Sequence, residues 1–358
     1  MEPARYVIDP EGDVLLVINQ PPSSSHPSWL KKEPQDSSVS TATSTSNRND
    51  TADCTSSGDG LGGVEIRVSS RHLVLASRFF EEKLSSKDKI LRSDEMVLVA
   101  MEVEDVDALL IVLNMMHCRT SKVPRLVGLR VLCKIAGLVY EYRCFEAVEV
   151  FSSIWIDNLK ERLPWCFSED LVRWIFISWV FHHELIFQET TLVAVRQSTG
   201  PIQCYGLPIP QPLLGEFFPI SSQKAQSTDY QVMFGTDSIE QKRRNWVNSI
   251  IAWIYEEKER LLDDGECCEL CDAMHIGWLS KQLHAHNLYP PPSHPFSGLS
   301  VKFLEDTLRV LPDPPCNQFH AHSKVCIEKS CAVLPGRTDL LWQLMEEETG
   351  LELTEFLA

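Results

Sequence analysis

The feature that most constrains this fold is a long polar run, rich in Ser, Thr, Pro and Gly, that separates two short apolar segments. The run covers residues 20–63, approximately, and we expect it to be disordered because it has too little apolar surface to offset the entropy of ordering. The flanking segments, "VLLVI" at 14–18 and "VEIRV" at 64–68, have the β-branched and apolar composition of strands. We predict a hairpin whose tip carries the insertion, since loop-closure entropy grows by only about 0.6 kcal/mol per doubling of loop length.

Helical spacing begins directly after the second strand. "SSRHLVLASRFFEEKL" (69–84) predicts one helix capped by Ser69 or Ser70, with apolar residues three and four positions apart. A third strand is predicted at 95–103. Three further helices follow: one capped by Asp105, one at 126–142 and one at 145–163. Two strands, a helix, a strand and then paired helices indicate an α+β fold rather than a series of βαβ repeats.

The rest of the chain reads as helical. We predict a helical extension at 164–197, a Pro-, Gly- and Ser-rich linker at 198–236, and a helical C-terminal region at 237–358. The most apolar stretch, "LVRWIFISWVFHHELIF", is shorter than the ~20 apolar residues of a membrane span and carries charged side chains. It therefore predicts a buried helix, and we expect no association with a membrane.

The charge balance and the cysteines limit the class of protein. The formal net charge is −17, and a field of this sign repels phosphate, so we expect no nucleic-acid partner. The first residues contain no apolar segment of the kind found in signal peptides. The 12 cysteines are therefore expected to be reduced, in a protein of the nucleus or cytoplasm.

An ordered set of residues carries a family resemblance. "GDVLLVI", "VEIRVSSRHLVLASRFFEEKL", "VEDVDALLIVLNMMHC" and "IAGLVYEYRCFEAVEVF" resemble the successive elements of a BTB/POZ domain. The insertion and the Ser-rich helix start, with Ser69 where many animal members have His, resemble the fungal type. The resemblance covers about residues 6–163, less the insertion, and implies a domain at 1–163 with a short mixed sheet and helical hairpins. It rests on six residues: Asp13, Leu73, Ser77, Phe80, Tyr142 and Cys144.

The resemblance implies a function in protein association rather than catalysis. Members of this family form homodimers and heterodimers, and some serve as substrate adaptors of cullin-type ubiquitin ligases. We expect a scaffold or regulatory protein that associates with itself or with another BTB protein. The adaptor function is the alternative, although "HCRTSKVPRL" lacks the hydrophobic-x-Glu pattern of a cullin contact. The chain has no phosphate-binding loop and no nucleophile elbow, so we expect no enzymatic activity.

One group of cysteines and histidines has the chemistry of a structural zinc site. The spacing Cys268-x-x-Cys271 allows two thiolates to share one tetrahedral zinc ion. The other two ligand positions of the zinc would be filled from three later residues: Cys316, His322 and Cys326. The alternative is that these cysteines are buried in a helical core and the histidines lie at the surface.

The last residues, "DLLWQLMEEETGLELTEFLA", combine acidic and apolar side chains. Two interpretations stay open. The segment is either a solvated acidic face or a docking helix that presents Leu340, Leu341, Leu344, Leu351 and Leu353.

Overall fold

The structure is a computed structural model that describes residues 4–18, 63–85, 90–91, 96–215, 238–263, 269–312 and 349–357, together with Leu334 and Asp339. The chain divides into two compact units. Unit 1 is Met1–Asn158 and unit 2 is Leu159–Ala358. Apart from Gly63, the predicted disordered insertion lies outside the described residues.

Unit 1 contains a mixed sheet of five strands in the order β1-β3-β2-β5-β4. β2 pairs antiparallel with β3, from Val14 opposite Val68 to Ile18 opposite Val64. β2 also pairs in parallel with β5, and β1 pairs in parallel with β3. The strands are β1 (Ala4–Val7), β2 (Val14–Ile18), β3 (Val64–Val68), β4 (Ile90–Leu91) and β5 (Val97–Met101).

The side-chain pattern explains the places of the central strands. In β3, Val64, Ile66 and Val68 are buried and alternate with partly exposed residues, as expected for a strand with one face on the core. β2 is buried at four of its five positions, as expected for a strand at the centre of a covered sheet. The predicted pairing of 14–18 with 64–68 is confirmed. The short edge strands β1 and β4 were not predicted.

Five α-helices and a 3-10 helix at Thr120–Lys122 complete the described part of unit 1. The side chain of Asp105 accepts a hydrogen bond from the backbone N–H of Ala108 at 2.9 Å, which confirms the predicted cap. The prediction of one helix over 69–84 is wrong, because Ser77 adopts an extended conformation and separates two helices. The helices are α1 (Ser70–Ala76), α2 (Arg78–Ser85), α3 (Val106–Met116), α4 (Leu129–Tyr142) and α5 (Phe145–Leu159).

Unit 2 is helical in its described residues. The predicted buried helix is confirmed, since every residue from 171 to 180 is buried. The predicted helical extension at 164–197 contains two helices, because the chain turns at 181–183, where His182 has a φ of 54°. The helices are α6 (Glu169–Val180), α7 (Glu184–Gln197), α8 (Gln211–Leu214), α9 (Ile239–Asp263), α10 (Glu269–Ala285) and α11 (Val301–Val310), with a 3-10 helix at Leu353–Phe356.

A large part of the unit 2 core lies between α9, α10 and α11. Ile250 and Ile254 are buried there, and Trp246 and Trp253 are partly buried against the same cluster. Buried apolar residues also occur within the stretch that was predicted to be a linker: Ile202, Leu207, Ile209, Leu213 and Leu214. Taken together, the described residues of both units are of mixed α and β structure and mostly helical.

Candidate interaction site

The first of the six residues that carry the resemblance, Asp13, anchors the start of α1. Its carboxylate accepts hydrogen bonds from the backbone N–H of Ser70 at 2.8 Å and from the Ser70 hydroxyl at 2.7 Å. Partial burial opposes the charged form, but these hydrogen bonds outweigh it and lower the pKa of Asp13. A cap by the side chain of Ser69 or Ser70 was predicted. The Ser69 side chain makes no capping hydrogen bond, and the Ser70 hydroxyl donates to Asp13 instead.

Ser77 forms the junction between α1 and α2. Its hydroxyl donates to the backbone carbonyl of Tyr142 at 2.5 Å and accepts from the backbone N–H of Phe80 at 3.2 Å. The first bond fixes the end of α1 to the end of α4, and the second caps the first turn of α2. The spacing of Leu73, Ser77 and Phe80 is therefore the spacing of a buried helix residue, a junction and a second buried helix residue.

Aromatic rings close over this junction. The ring of Tyr142 lies 5.5 Å from that of Phe80 and 5.2 Å from that of Phe79, between centroids. Tyr142 is 1% exposed, and burial raises the pKa of its hydroxyl. Such contacts stabilise the junction through packing, since aromatic pairs at these separations are attractive.

Cys144 follows the same helix end and is buried. Arg143 adopts the left-handed conformation at the end of α4, which turns the chain and places Cys144 inside at 1% exposure. Burial raises the pKa of the Cys144 thiol to about 12. The side chain is therefore a neutral apolar group at physiological pH.

The structure thus places the six residues in and next to α1, near the start of α2 and at the end of α4. Asp13 holds the start of α1, Ser77 holds its end, and Leu73 is fully buried between them. This arrangement fixes the orientation of a helix only 7 residues long. The residues serve to position α1 rather than to react.

A histidine pair beside this site was not predicted. The Nε2 atom of His117 accepts from the backbone N–H of Ser69 at 3.1 Å, and its Nδ1 lies 2.8 Å from the Leu113 carbonyl oxygen. The ring stacks on His72 with centroids 5.0 Å apart. Burial is the main cause that lowers the pKa of His117, and the neighbouring His72 and Arg119 add to it; together they outweigh the bond to Leu113 and the carboxylate of Asp9. Sequence spacing gave no signal for this contact, because Ser69 and His117 are 48 residues apart.

The outer face of α1 carries exposed apolar side chains. Leu75 is 88% exposed and Val74 is 37% exposed, although α1 is anchored at both ends. On the edge strand β1, Tyr6 is 40% exposed and Val7 is 55% exposed. Single exposed apolar residues are common, but two neighbours on a fixed helix form a candidate contact surface.

Of the predicted zinc ligands, only Cys271 belongs to the described part of the chain, where it is buried in α10. The other four, Cys268, Cys316, His322 and Cys326, lie outside the described residues. Within the described ranges, no group of three or more His, Cys, Asp or Glu side chains is placed to hold a metal ion. The zinc site stays a prediction.

Comparison with protein-family models, with curated proteins and with solved structures yields no match for this chain. Among the described helices, none has the length and apolar character needed to cross a bilayer.

Proposed function

We propose that the chain is a non-enzymatic interaction protein of the nucleus or cytoplasm, whose N-terminal unit is a BTB/POZ-like domain. Unit 1 would associate with a second copy or with another BTB protein, in a scaffold or regulatory role. The observation that carries the proposal is the exposure of Leu75 on a helix whose two ends are anchored by Asp13 and Ser77.

A fixed helix with an outward apolar side chain suits association. Because α1 is held by Asp13, by Ser77 and by buried Leu73, it offers Leu75 to a partner with little entropy left to lose on binding. In a symmetric dimer each copy would bury its own Leu75, and each fully buried Leu contributes about 1.5–3 kcal/mol.

The titratable groups at the site support binding rather than catalysis. A catalytic acid or base needs a pKa near the working pH, and a nucleophilic cysteine needs a lowered pKa. Burial instead raises the pKa of the Cys144 thiol to about 12 and raises that of the Tyr142 hydroxyl. Asp13 is occupied by two hydrogen bonds from Ser70.

Sedimentation velocity tests the proposal with the full chain. We expect the wild type to sediment as a dimer, and Leu75→Glu to raise the dissociation constant at least about a hundredfold, as the loss of two buried Leu side chains implies. Leu126→Glu is the matched control, since Leu126 is also exposed, at 71%, but lies outside α1. It should dissociate like the wild type.

Partner capture from a cell lysate distinguishes association with itself from association with other proteins. Loss of captured proteins on Leu75→Glu, but not on Leu126→Glu, would support a heterologous BTB partner. A cullin among the captured proteins would instead identify the substrate adaptor. A monomeric wild type that captures the same proteins as Leu75→Glu would contradict the proposal.

A further inference from the structure

Residues 349–357 form a short segment that lies on the helices of unit 2. Three of its apolar side chains are buried: Leu351 and Leu353 at 1% exposure and Phe356 at 5%. The side chains between these residues are exposed. The segment thus inserts side chains in the pattern Leu-x-Leu-x-x-Phe into a groove lined by α6, α7 and α9, which we call the segment groove.

Side chains of the groove recognise the backbone of the segment. The Thr191 hydroxyl oxygen accepts from the backbone N–H of Leu351 at 2.9 Å, and the Glu184 carboxylate accepts from that of Leu353 at 3.2 Å. Both acceptors lie on α7. Recognition of the backbone fixes the position of a peptide, while pockets for its side chains select the sequence.

The two ends of the segment are also held. The indole N–H of Trp179 donates to the Phe356 carbonyl at 3.0 Å, and the Phe356 ring lies 6.0 Å from the Phe187 ring. At the other end, the ammonium group of Lys242 donates to the Thr349 carbonyl at 2.7 Å. These contacts come from α6, α7 and α9 respectively.

The acceptors of the groove are held in place by α7 itself. The Thr191 hydroxyl donates to the Phe187 carbonyl at 2.7 Å, which directs its lone pairs outward. The amide of Gln188 donates to the Glu184 carboxylate at 2.9 Å. Groups that are oriented by their own helix lose little freedom on binding, a general requirement of a recognition site.

Gly350 sets the distance between the segment and α7. A Cβ atom at this position would lie 1.9 Å from the Gln188 carbonyl oxygen, so a larger residue cannot occupy it without displacing the segment. The groove therefore accepts only Gly at the position directly before the Leu-x-Leu-x-x-Phe pattern.

We propose that the segment groove is a peptide-binding site, and that residues 349–357 are a tethered ligand occupying it. The occupant we assign to it in a complex is a partner protein that carries the pattern Gly-Leu-x-Leu-x-x-Phe and binds by displacing the tethered segment. This site is separate from the α1 surface, and it does not depend on the function proposed for unit 1.

The balance of interactions makes displacement feasible. Three buried apolar side chains and a few hydrogen bonds oppose the entropy of ordering a short segment, which leaves a small net free energy. A tethered ligand acts at an effective concentration up to the mM range, so it strongly suppresses binding of a free peptide. Weakening only the tethered copy should therefore increase binding of that peptide.

A gain-of-binding experiment uses this relation. The probe is a fluorescein-labelled peptide of residues 349–358, TGLELTEFLA, added to the full chain and followed by anisotropy. Two variants weaken the tethered segment and leave the groove intact: Gly350→Ala and Leu353→Asp. Gly277→Ala in α10 is the control, since its added Cβ meets nothing within 4 Å.

We expect both segment variants to bind the peptide about tenfold or more tightly than the wild type does, and the control to match the wild type. A peptide with Ala in place of its Gly should bind to none of them. The proposal is overturned if either variant folds, by circular dichroism, and fails to gain peptide binding. It is equally overturned if both variants fail to fold, because the segment would then be an obligatory part of the core.

Discussion

The buried guanidinium of Arg243 provides the strongest quantitative prediction. Arg243 is 0% exposed and forms two hydrogen bonds to the carboxylate of Glu240, at 2.8 and 2.6 Å, whose own exposure is 1%. The same guanidinium donates to the carbonyls of Pro295, Phe296 and Leu299. It therefore joins the start of α9 to the chain that leads into α11.

The substitution Arg243→Met keeps much of the side-chain volume but removes every donor. Breaking a buried ion pair by removing one partner costs about 3–5 kcal/mol, because the remaining charge is left uncompensated. Arg244 also contacts Glu240, at 2.6 Å, and it moderates the loss. We therefore expect the free energy of unfolding of unit 2 to fall by about 3 kcal/mol, within the lower part of that range.

The matched control is Arg244→Met. Arg244 is 23% exposed and binds the same carboxylate, but its removal leaves Glu240 paired with Arg243. We expect a loss of about 1 kcal/mol or less, as for a partly exposed ion pair.

Hydrogen exchange in urea measures both variants, with peptides from α9 and α11 reporting on unit 2 alone. A chain of two units is not expected to unfold in one two-state transition, so a signal from one unit is needed. If Arg243→Met and Arg244→Met lower the stability by equal amounts, the central role of the buried guanidinium is refuted.

Two further predictions concern unit 1. Burial raises the pKa of Cys144 to about 12, so iodoacetamide at neutral pH should leave Cys144 unlabelled until denaturant is added. The exposed Cys118 and Cys166 should be labelled under the same conditions, as mapped by mass spectrometry. Equal labelling rates for the three cysteines would contradict the burial of Cys144. The folded pKa of His117 is below its ordinary value of 6.5, so the unfolded state binds more protons below that pH. Stability should therefore fall there by up to about 1.4 kcal/mol per pH unit. His117→Gln should reduce this slope in urea titrations from pH 7 to 5, and an unchanged slope would rule out His117 as its source.

Local patterns in the sequence predicted the elements that depend on local physics. The alternation in 64–68 and the apolar run in 14–18 predicted the β2–β3 pairing. The cap at Asp105 was predicted from its side chain and is present. In each case the sequence pattern lies within the strand or helix end that it predicts.

The elements that were predicted wrongly depend on distant contacts. The break at Ser77 is fixed by its bond to Tyr142, 65 residues away, while the apolar spacing continues through the break and favours one helix. The carboxylate that anchors α1 belongs to Asp13, 57 residues before Ser70. No local pattern contains either partner, so the local sequence indicated Ser69 or Ser70 as the cap instead.

The segment at 349–357 falls between these cases. Its sequence offered an acidic face or a docking helix. The structure buries Leu351 two residues before the 3-10 helix Leu353–Phe356, and buries Leu353 at the first residue of that helix. Leu340, Leu341 and Leu344 lie outside the described residues. Two of the exposed side chains between the buried ones, Glu352 and Glu355, account for the acidic character of residues 349–357.

The register of the β2–β3 pair has a consequence for the engineering of this chain. Ile18 lies opposite Val64, so the chain leaves and re-enters the sheet at neighbouring positions, which are about 5 Å apart in an antiparallel pair. Ile18 and Val64 are the last pair of the β2–β3 ladder, so an insertion between them interrupts none of the paired residues. A reporter domain whose own ends are close together fits between these two residues, and the position is equally suited to new termini in a circular permutant.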